Sequence, residues 1–222
     1  MARSSRFADR AQAGRLLAGQ VKALRLDRPV VYALPRGGVP VAAEVAAALD
    51  APLDLVLVRK IGAPMQPELA VGAVVDGGET VLNPEVIAAT GTSEEYIAAA
   101  RAHELAEIER RRQRYLAGRP PVDPVGRAAV VVDDGLATGA TARAAMQGLR
   151  RRGAARIVLA VPVAPPETLE ALRAEADDLV CVLEADLLWG IGGFYADFHQ
   201  LTDEEVTRLL DASASRGGAA PR

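Results

Sequence analysis

Apolar positions follow two periods along this chain, one helical and one of short unbroken runs. Residues 7–24 set Phe7, Ala11, Leu16, Leu17, Val21 and Leu24 at near-helical intervals, which predicts an amphipathic helix. A short run follows, Val30-Val31-Tyr32-Ala33-Leu34, and it breaks at Pro35-Arg36-Gly37-Gly38, the signature of a strand passing into a loop. Residues 39–49 are alanine-rich and helical. Residues 53–58 form a second continuous apolar run of the kind buried on both faces of a parallel sheet. Strand, helix and strand make a βαβ unit.

Between Gly62 and Asn83 the pattern loosens, as Pro64, Pro67, Gly72, Gly77 and Gly78 interrupt two β-like stretches at 69–75 and 80–82. This segment, 62–83, reads as a projecting arm or lid. Thr92 and Glu95 have capping-box spacing and open a long helix to about residue 116. Arg110, Arg111, Arg112 and Arg114 close it, where they would complement the negative end of the helix dipole. After Pro120, Pro121 and Pro124, strands are expected at 128–132, 156–161 and 179–183, with helices at 139–152 and 165–176 between them. The alternation predicts an α/β fold, a parallel sheet covered by helices on both faces. Thr202 and Glu205 open a last helix to about residue 210, so one domain spans 1–211 and the Ser/Gly/Ala/Pro stretch 212–222 reads as a disordered tail.

Composition narrows the class. The chain has 222 residues, half of them hydrophobic, with a formal net charge of -3, which fits one generous globular domain with appendages. With 26 basic and 29 acidic residues there is no basic excess to draw the chain to nucleic acid, so a nucleic-acid partner is disfavoured. No run of about 18 uncharged apolar residues exists to span a membrane, and the charged, alanine-containing start does not resemble a secretory signal. A lone cysteine, Cys181, and two isolated histidines, His103 and His199, supply neither a disulfide nor a zinc cluster, which suits a reducing cytoplasm. The 24 arginines are accompanied by two lysines only, Lys22 and Lys60.

The chemistry concentrates where Val130-Val131-Val132 leads into Asp133-Asp134-Gly135-Leu136-Ala137-Thr138-Gly139-Ala140-Thr141 and a helix follows. Ligands of an open parallel sheet bind beyond the carboxyl ends of its strands, where this loop falls. Small Ala137, Gly139 and Ala140 let backbone N–H groups close around an anion, the hydroxyls of Thr138 and Thr141 add donors, and the helix start adds its positive end. Two carboxylates would repel that anion unless they face another part of the ligand, and vicinal hydroxyls with a divalent cation nearby suit them. A ribose 5-phosphate joins both requirements.

These residues closely resemble the signature of type I phosphoribosyltransferases, and the resemblance covers roughly residues 29–183. It implies that Asp133 and Asp134 contact the 2- and 3-hydroxyls of 5-phosphoribosyl 1-pyrophosphate (PRPP), directly or with Mg²⁺ as cofactor, while Ala137, Thr138, Gly139, Ala140 and Thr141 wrap the 5-phosphate. Pro35-Arg36-Gly37-Gly38 resembles the family's pyrophosphate loop, although alone it reads equally as a tight turn. Arg59 and Lys60, closing the second apolar run, resemble a basic pair that several members place on pyrophosphate; otherwise they are solvated strand-end charges. The implied activity is transfer of phosphoribosyl from PRPP to a nitrogenous base, as in nucleotide salvage, with release of pyrophosphate. Arg36, Lys60, Asp133 and Asp134 would carry the catalysis, the arm would exclude water, and a homodimer is common in the family.

Specificity is less legible. Members acting on 6-oxopurines usually carry aspartate where this chain has Ala137, which disfavours hypoxanthine and guanine. The loop looks more like that of adenine enzymes, though small residues also occur there in pyrimidine enzymes and regulators. A hood over the base would come from the first helix or from residues 184–200, where Trp189, Phe194, Tyr195 and Phe198 would either stack on a base or pack the last helix onto the sheet. Two rival readings remain: a regulator of the same fold that senses PRPP or a nucleotide and binds nucleic acid through arginine runs, and a hydrolase or phosphorylase on the same scaffold.

Overall fold

The computed structural model describes residues 7–186 and 190–217. Five strands, β1 (Val30–Ala33), β2 (Leu53–Leu55), β6 (Ala128–Val132), β7 (Arg156–Ala164) and β8 (Asp178–Glu184), form one sheet in the order β2-β1-β6-β7-β8. All four pairings are parallel, with Val31 opposite Val130 and Val130 opposite Val158. β1 and β6 are buried along their whole length, which explains their unbroken apolar runs. Helices α1 (Arg10–Ala23), α2 (Gly38–Leu49) and α7 (Asp203–Gly217) cover one face, where Leu17, Val21, Val41 and Leu210 pack against Val31 and Val130. Helices α5 (Ala140–Arg151) and α6 (Pro166–Leu172) cover the other through Met146, Leu149, Leu169 and Leu172. The α/β expectation holds.

Several boundaries differ from the sequence reading, each for a local reason. The run 53–58 is not one strand. Only β2 joins the parallel sheet, and from Val58 the chain enters a separate antiparallel sheet of β3 (Val58–Ala63), β4 (Gln66–Val75) and β5 (Thr80–Leu82). The arm is thus an ordered three-stranded sheet with its own small core, in which Ile61, Val71 and Val74 pack against Ile108 of α4 (Glu94–Leu116). A short helix, α3 (Pro84–Thr90), capped by Asn83, links arm to α4. Ser93, not Thr92, caps α4, its hydroxyl accepting from the Tyr96 N–H at 3.2 Å. α7 runs on through Gly217 where a tail from 212 was expected, because Ala212 and Ala214 favour helix and Ser213 is buried. Residues 218–222 lie outside the described residues. No described helix is long and apolar enough to cross a membrane.

Arg112 is not a dipole-complementing surface charge either. It is buried between Asp54 of β2, which it meets with two bonds of 3.0 Å, and Asp76 at the end of β4. Its neighbours do stay at the surface, Arg110 and Arg111 pairing with Glu107 and Arg114 with Asp203.

Candidate functional site

After β1 the chain moves outward to β2, and after β6 it moves the opposite way to β7 and β8. The order reverses between β1 and β6, and the crevice outside the carboxyl ends of two such strands is where open α/β sheets hold ligands. The loops following β1 and β6 meet there. The Leu34 N–H donates to the Val132 carbonyl at 2.9 Å and fastens the root of one loop to the root of the other. The Pro35–Arg36 peptide is cis.

The approach of the loops dictates glycine. A Cβ on Gly37 would lie 2.1 Å from Asp134 Oδ2, and one on Gly38 would lie 2.6 Å from the Val132 carbonyl oxygen. Thus Gly37, Gly38, Asp133 and Asp134, read separately from the sequence, form one constellation. Arg36 stands beside it with Nη1 3.7 Å from Asp203 Oδ1 at the start of α7. Asp203 in turn accepts from the Tyr115 hydroxyl and pairs with Arg114, both at 2.7 Å.

The two carboxylates sit differently. Asp133 Oδ1 accepts from the Asp134 N–H at 2.8 Å, and burial together with the adjacent Asp134 carboxylate pushes Asp133 well above the ordinary carboxylate range. Asp134 is buried, and burial raises it too, against the guanidinium of Arg10, which pulls it down. Arg10 Nε donates to Asp134 Oδ2 at 2.8 Å. The Tyr195 hydroxyl donates to the Asp134 carbonyl at 2.6 Å.

The third part is the start of α5. Gly139 adopts φ 71°, the left-handed region, and a Cβ there would lie 2.6 Å from Leu172 Cδ1, so the turn demands glycine. The Thr168 hydroxyl donates to the Ala137 carbonyl at 2.6 Å and anchors the loop from α6. Ala137, Thr138, Ala140 and Thr141 are exposed, and among the described residues no side-chain hydrogen bond engages the hydroxyl of Thr138 or Thr141. The loop thus presents two exposed hydroxyls at a helix N-terminus, where the dipole and free N–H groups suit an anion.

Arg59 and Lys60 are not where the sequence placed them. They lie inside β3 of the arm, not at the carboxyl edge of the parallel sheet. Arg59 Nε is 2.7 Å from Glu104 of α4, and Lys60 Nζ is 2.9 Å from Glu68. Lys60 lines a cavity between arm and α4 with Tyr96 and His103, and no hydrogen bond or ion pair among the described residues joins either cation to the two loops. The misplacement follows from reading 53–58 as one strand.

The aromatic segment also resolves. Phe194 and Tyr195 are buried and pack with Phe7 against Val163, with Phe7 and Tyr195 rings 5.3 Å apart, so these two fill the core. Phe198 is half exposed and lies under the Arg10 guanidinium, 3.8 Å from its carbon to the ring centroid. Trp189 lies outside the described residues. Arg10 is the site residue that sequence reasoning missed. A signal existed: Asp9 caps α1, its carboxylate accepting from the Gln12 N–H at 2.7 Å, which puts Arg10 at the first helical position, where the dipole disfavours a cation.

Similarity to known proteins extends over most of the chain. A family model described as "Phosphoribosyl transferase domain" matches residues 8–199. A Mycobacterium tuberculosis protein named "Putative phosphoribosyl transferase" is 46% identical over 205 residues, which cover 92% of this chain and 46% of the relative. The chain therefore spans about half the length of that curated relative. A crystal structure of a Thermus thermophilus protein superimposes with a TM-score of 0.82 at 45% identity, covering 92% of this chain and 97% of the other. A uracil phosphoribosyltransferase of Lactobacillus delbrueckii is 44% identical over 59 residues, 27% of this chain and 28% of its own.

Proposed function

Because the chain belongs to the phosphoribosyl transferase domain family, we propose that it transfers the phosphoribosyl group of PRPP to a nitrogenous acceptor. The observation that carries the reading is the meeting, at one reversal of strand order, of the Arg36-Gly37-Gly38 loop, the Asp133-Asp134 pair and the Ala137–Thr141 anion loop. In this reading the backbone N–H groups of Ala137 to Thr141 hold the 5-phosphate and the aspartates hold the ribose hydroxyls. Arg36 and the amide of Gly37 face pyrophosphate, while the Gly38 N–H, donating to the Leu34 carbonyl at 3.0 Å, holds the turn. The C1–O bond to pyrophosphate breaks, a C1–N bond forms, and the acceptor nitrogen loses its proton. Positive charge develops on the ribose and negative charge on the leaving group, so positioning and leaving-group stabilisation do most of the catalysis.

Mg²⁺ fits the donor set. Two hard carboxylates stand side by side, which suits an ion that takes one or two carboxylates and completes its shell with ligand oxygens and water. Asp133 and Asp134 would hold it, and bound there it would offset pyrophosphate charge. Lys60 bonds the exposed Glu68 within the arm. The single half-buried thiol fits a reducing cytoplasm.

The nucleic-acid-binding regulator finds little support, since the arginine runs are paired: Arg110 and Arg111 with Glu107, Arg114 with Asp203, Arg150 with Asp177. The test is a pyrophosphate-release assay with PRPP and Mg²⁺ across purine, pyrimidine and pyridine bases. Release with some base, lost in Asp133→Asn and Asp134→Asn, is expected. No binding of PRPP at millimolar concentration would overturn the reading.

A further inference from the structure

We propose that Arg10, from the first turn of α1, is a positioning residue that fixes the Asp134 carboxylate for the ribose hydroxyls, an inference that rests on the phosphoribosyl reading above. Arg10 sits where an arginine is costly. It is 8% exposed and stands at the helix end that repels cations. Three contacts from two separate segments offset that cost: Nε to Asp134 Oδ2 at 2.8 Å in the loop after β6, and, from the stretch before α7, the His199 carbonyl to Nη1 at 3.0 Å and the ring of Phe198 under the guanidinium at 3.8 Å. The guanidinium is therefore held in one plane and one direction before any ligand arrives, and its fixed fork transmits that direction to the carboxylate.

Gly37 confines Asp134 as well, approaching so closely that a methyl group there would collide with both carboxylate oxygens. Arg10 and the Gly37 backbone thus grip Asp134 between them. One oxygen is committed to Arg10, so the ligand hydroxyl falls to the other, with Asp133 beside it. Arg10 itself touches no reacting atom in this scheme. Its removal would free Asp134 to turn towards the space the guanidinium leaves, and the loss would fall on ligands that carry the ribose diol and spare those that do not.

The experiment titrates PRPP and, separately, inorganic pyrophosphate into wild type, Arg10→Gln, Arg10→Lys, Asp134→Asn and the Arg10→Gln/Asp134→Asn double variant, with Mg²⁺ present. Arg10→Gln is expected to weaken PRPP by about tenfold or more, the scale of one charge-assisted hydrogen bond, while pyrophosphate binding stays within about twofold. Arg10→Lys is expected to recover part of the loss, and the double variant to bind PRPP no more weakly than Asp134→Asn, since Arg10 acts through Asp134. Equal weakening of both ligands would mark Arg10 as merely structural and overturn the proposal, as would additive effects in the double variant or unchanged PRPP binding in Arg10→Gln. If wild type binds no PRPP, the phosphoribosyl reading fails on that arm alone and this inference falls with it.

Discussion

Gly37 has no room for a side chain, and the residue that excludes one is the residue a ligand would need. Gly37→Ala is expected to displace Asp134 or the loop at an overpacking cost of about 1–3 kcal/mol, and to abolish PRPP binding in a titration while the total helix content seen by circular dichroism is unchanged. Cys181 gives a second residue-scale prediction. On β8, with Sγ 3.3 Å from the Leu183 carbonyl, its thiol is pushed by burial from an ordinary 9.0 to about 11. Alkylation at pH 8, followed by mass spectrometry, is expected to be about a hundredfold slower in the native protein than in urea, the factor that two pH units imply. The sign for stability follows: the unfolded thiol ionises first, so Cys181's contribution is whole below pH 9 and is lost as pH rises towards 11. Residues whose chemistry is written in their immediate neighbours, Asp133, Asp134, Gly139 and Thr141, were legible in the sequence. Arg10 was not, because its partner lies 124 positions away.

Among elements, the last helix shows local code working well. Thr202 and Glu205 make the reciprocal bonds expected of a capping box, at 2.8 and 3.2 Å. Thr202→Ala is expected to cost about 1 kcal/mol in urea unfolding, and also to loosen Asp203, the next residue, from Arg36. The strands of the parallel sheet were equally legible because burial on both faces leaves an unbroken apolar run. The same property misled at residues 53–58. An apolar run shows that a backbone is buried and does not show beside which strand, so the change of sheet between Leu55 and Val58 left no trace in hydrophobicity. The arm was obscured for a related reason: its prolines and glycines read as loop, yet Gly62 is required where β3 bends against the Pro67 carbonyl, 2.3 Å from a would-be Cβ.

For the molecule as a whole, Arg112 joins three parts that are far apart in sequence: β2 through Asp54, the arm through Asp76, and α4 on which it lies. Arg112→Ala takes the charged partner from two buried carboxylates, leaving Asp54 only the N–H groups of Leu55 and Val122, and is expected to cost about 3–5 kcal/mol in urea unfolding. Burial already raises Asp76 although Arg112 opposes it. A carboxyl whose folded pKa is raised favours the folded state at low pH, and that contribution fades as pH climbs through the raised value. The deficit of Arg112→Ala is therefore expected to shrink as the medium is acidified and to widen towards neutrality, read as midpoints over a pH series. The crevice between β1 and β6 has its own consequence. Because Leu34 is hydrogen-bonded to Val132, the two loops work as a calliper whose jaws stand one strand spacing apart, about 4.8 Å. The parallel sheet itself sets that spacing, and the arm, whose three strands form a separate sheet, takes no part in setting it.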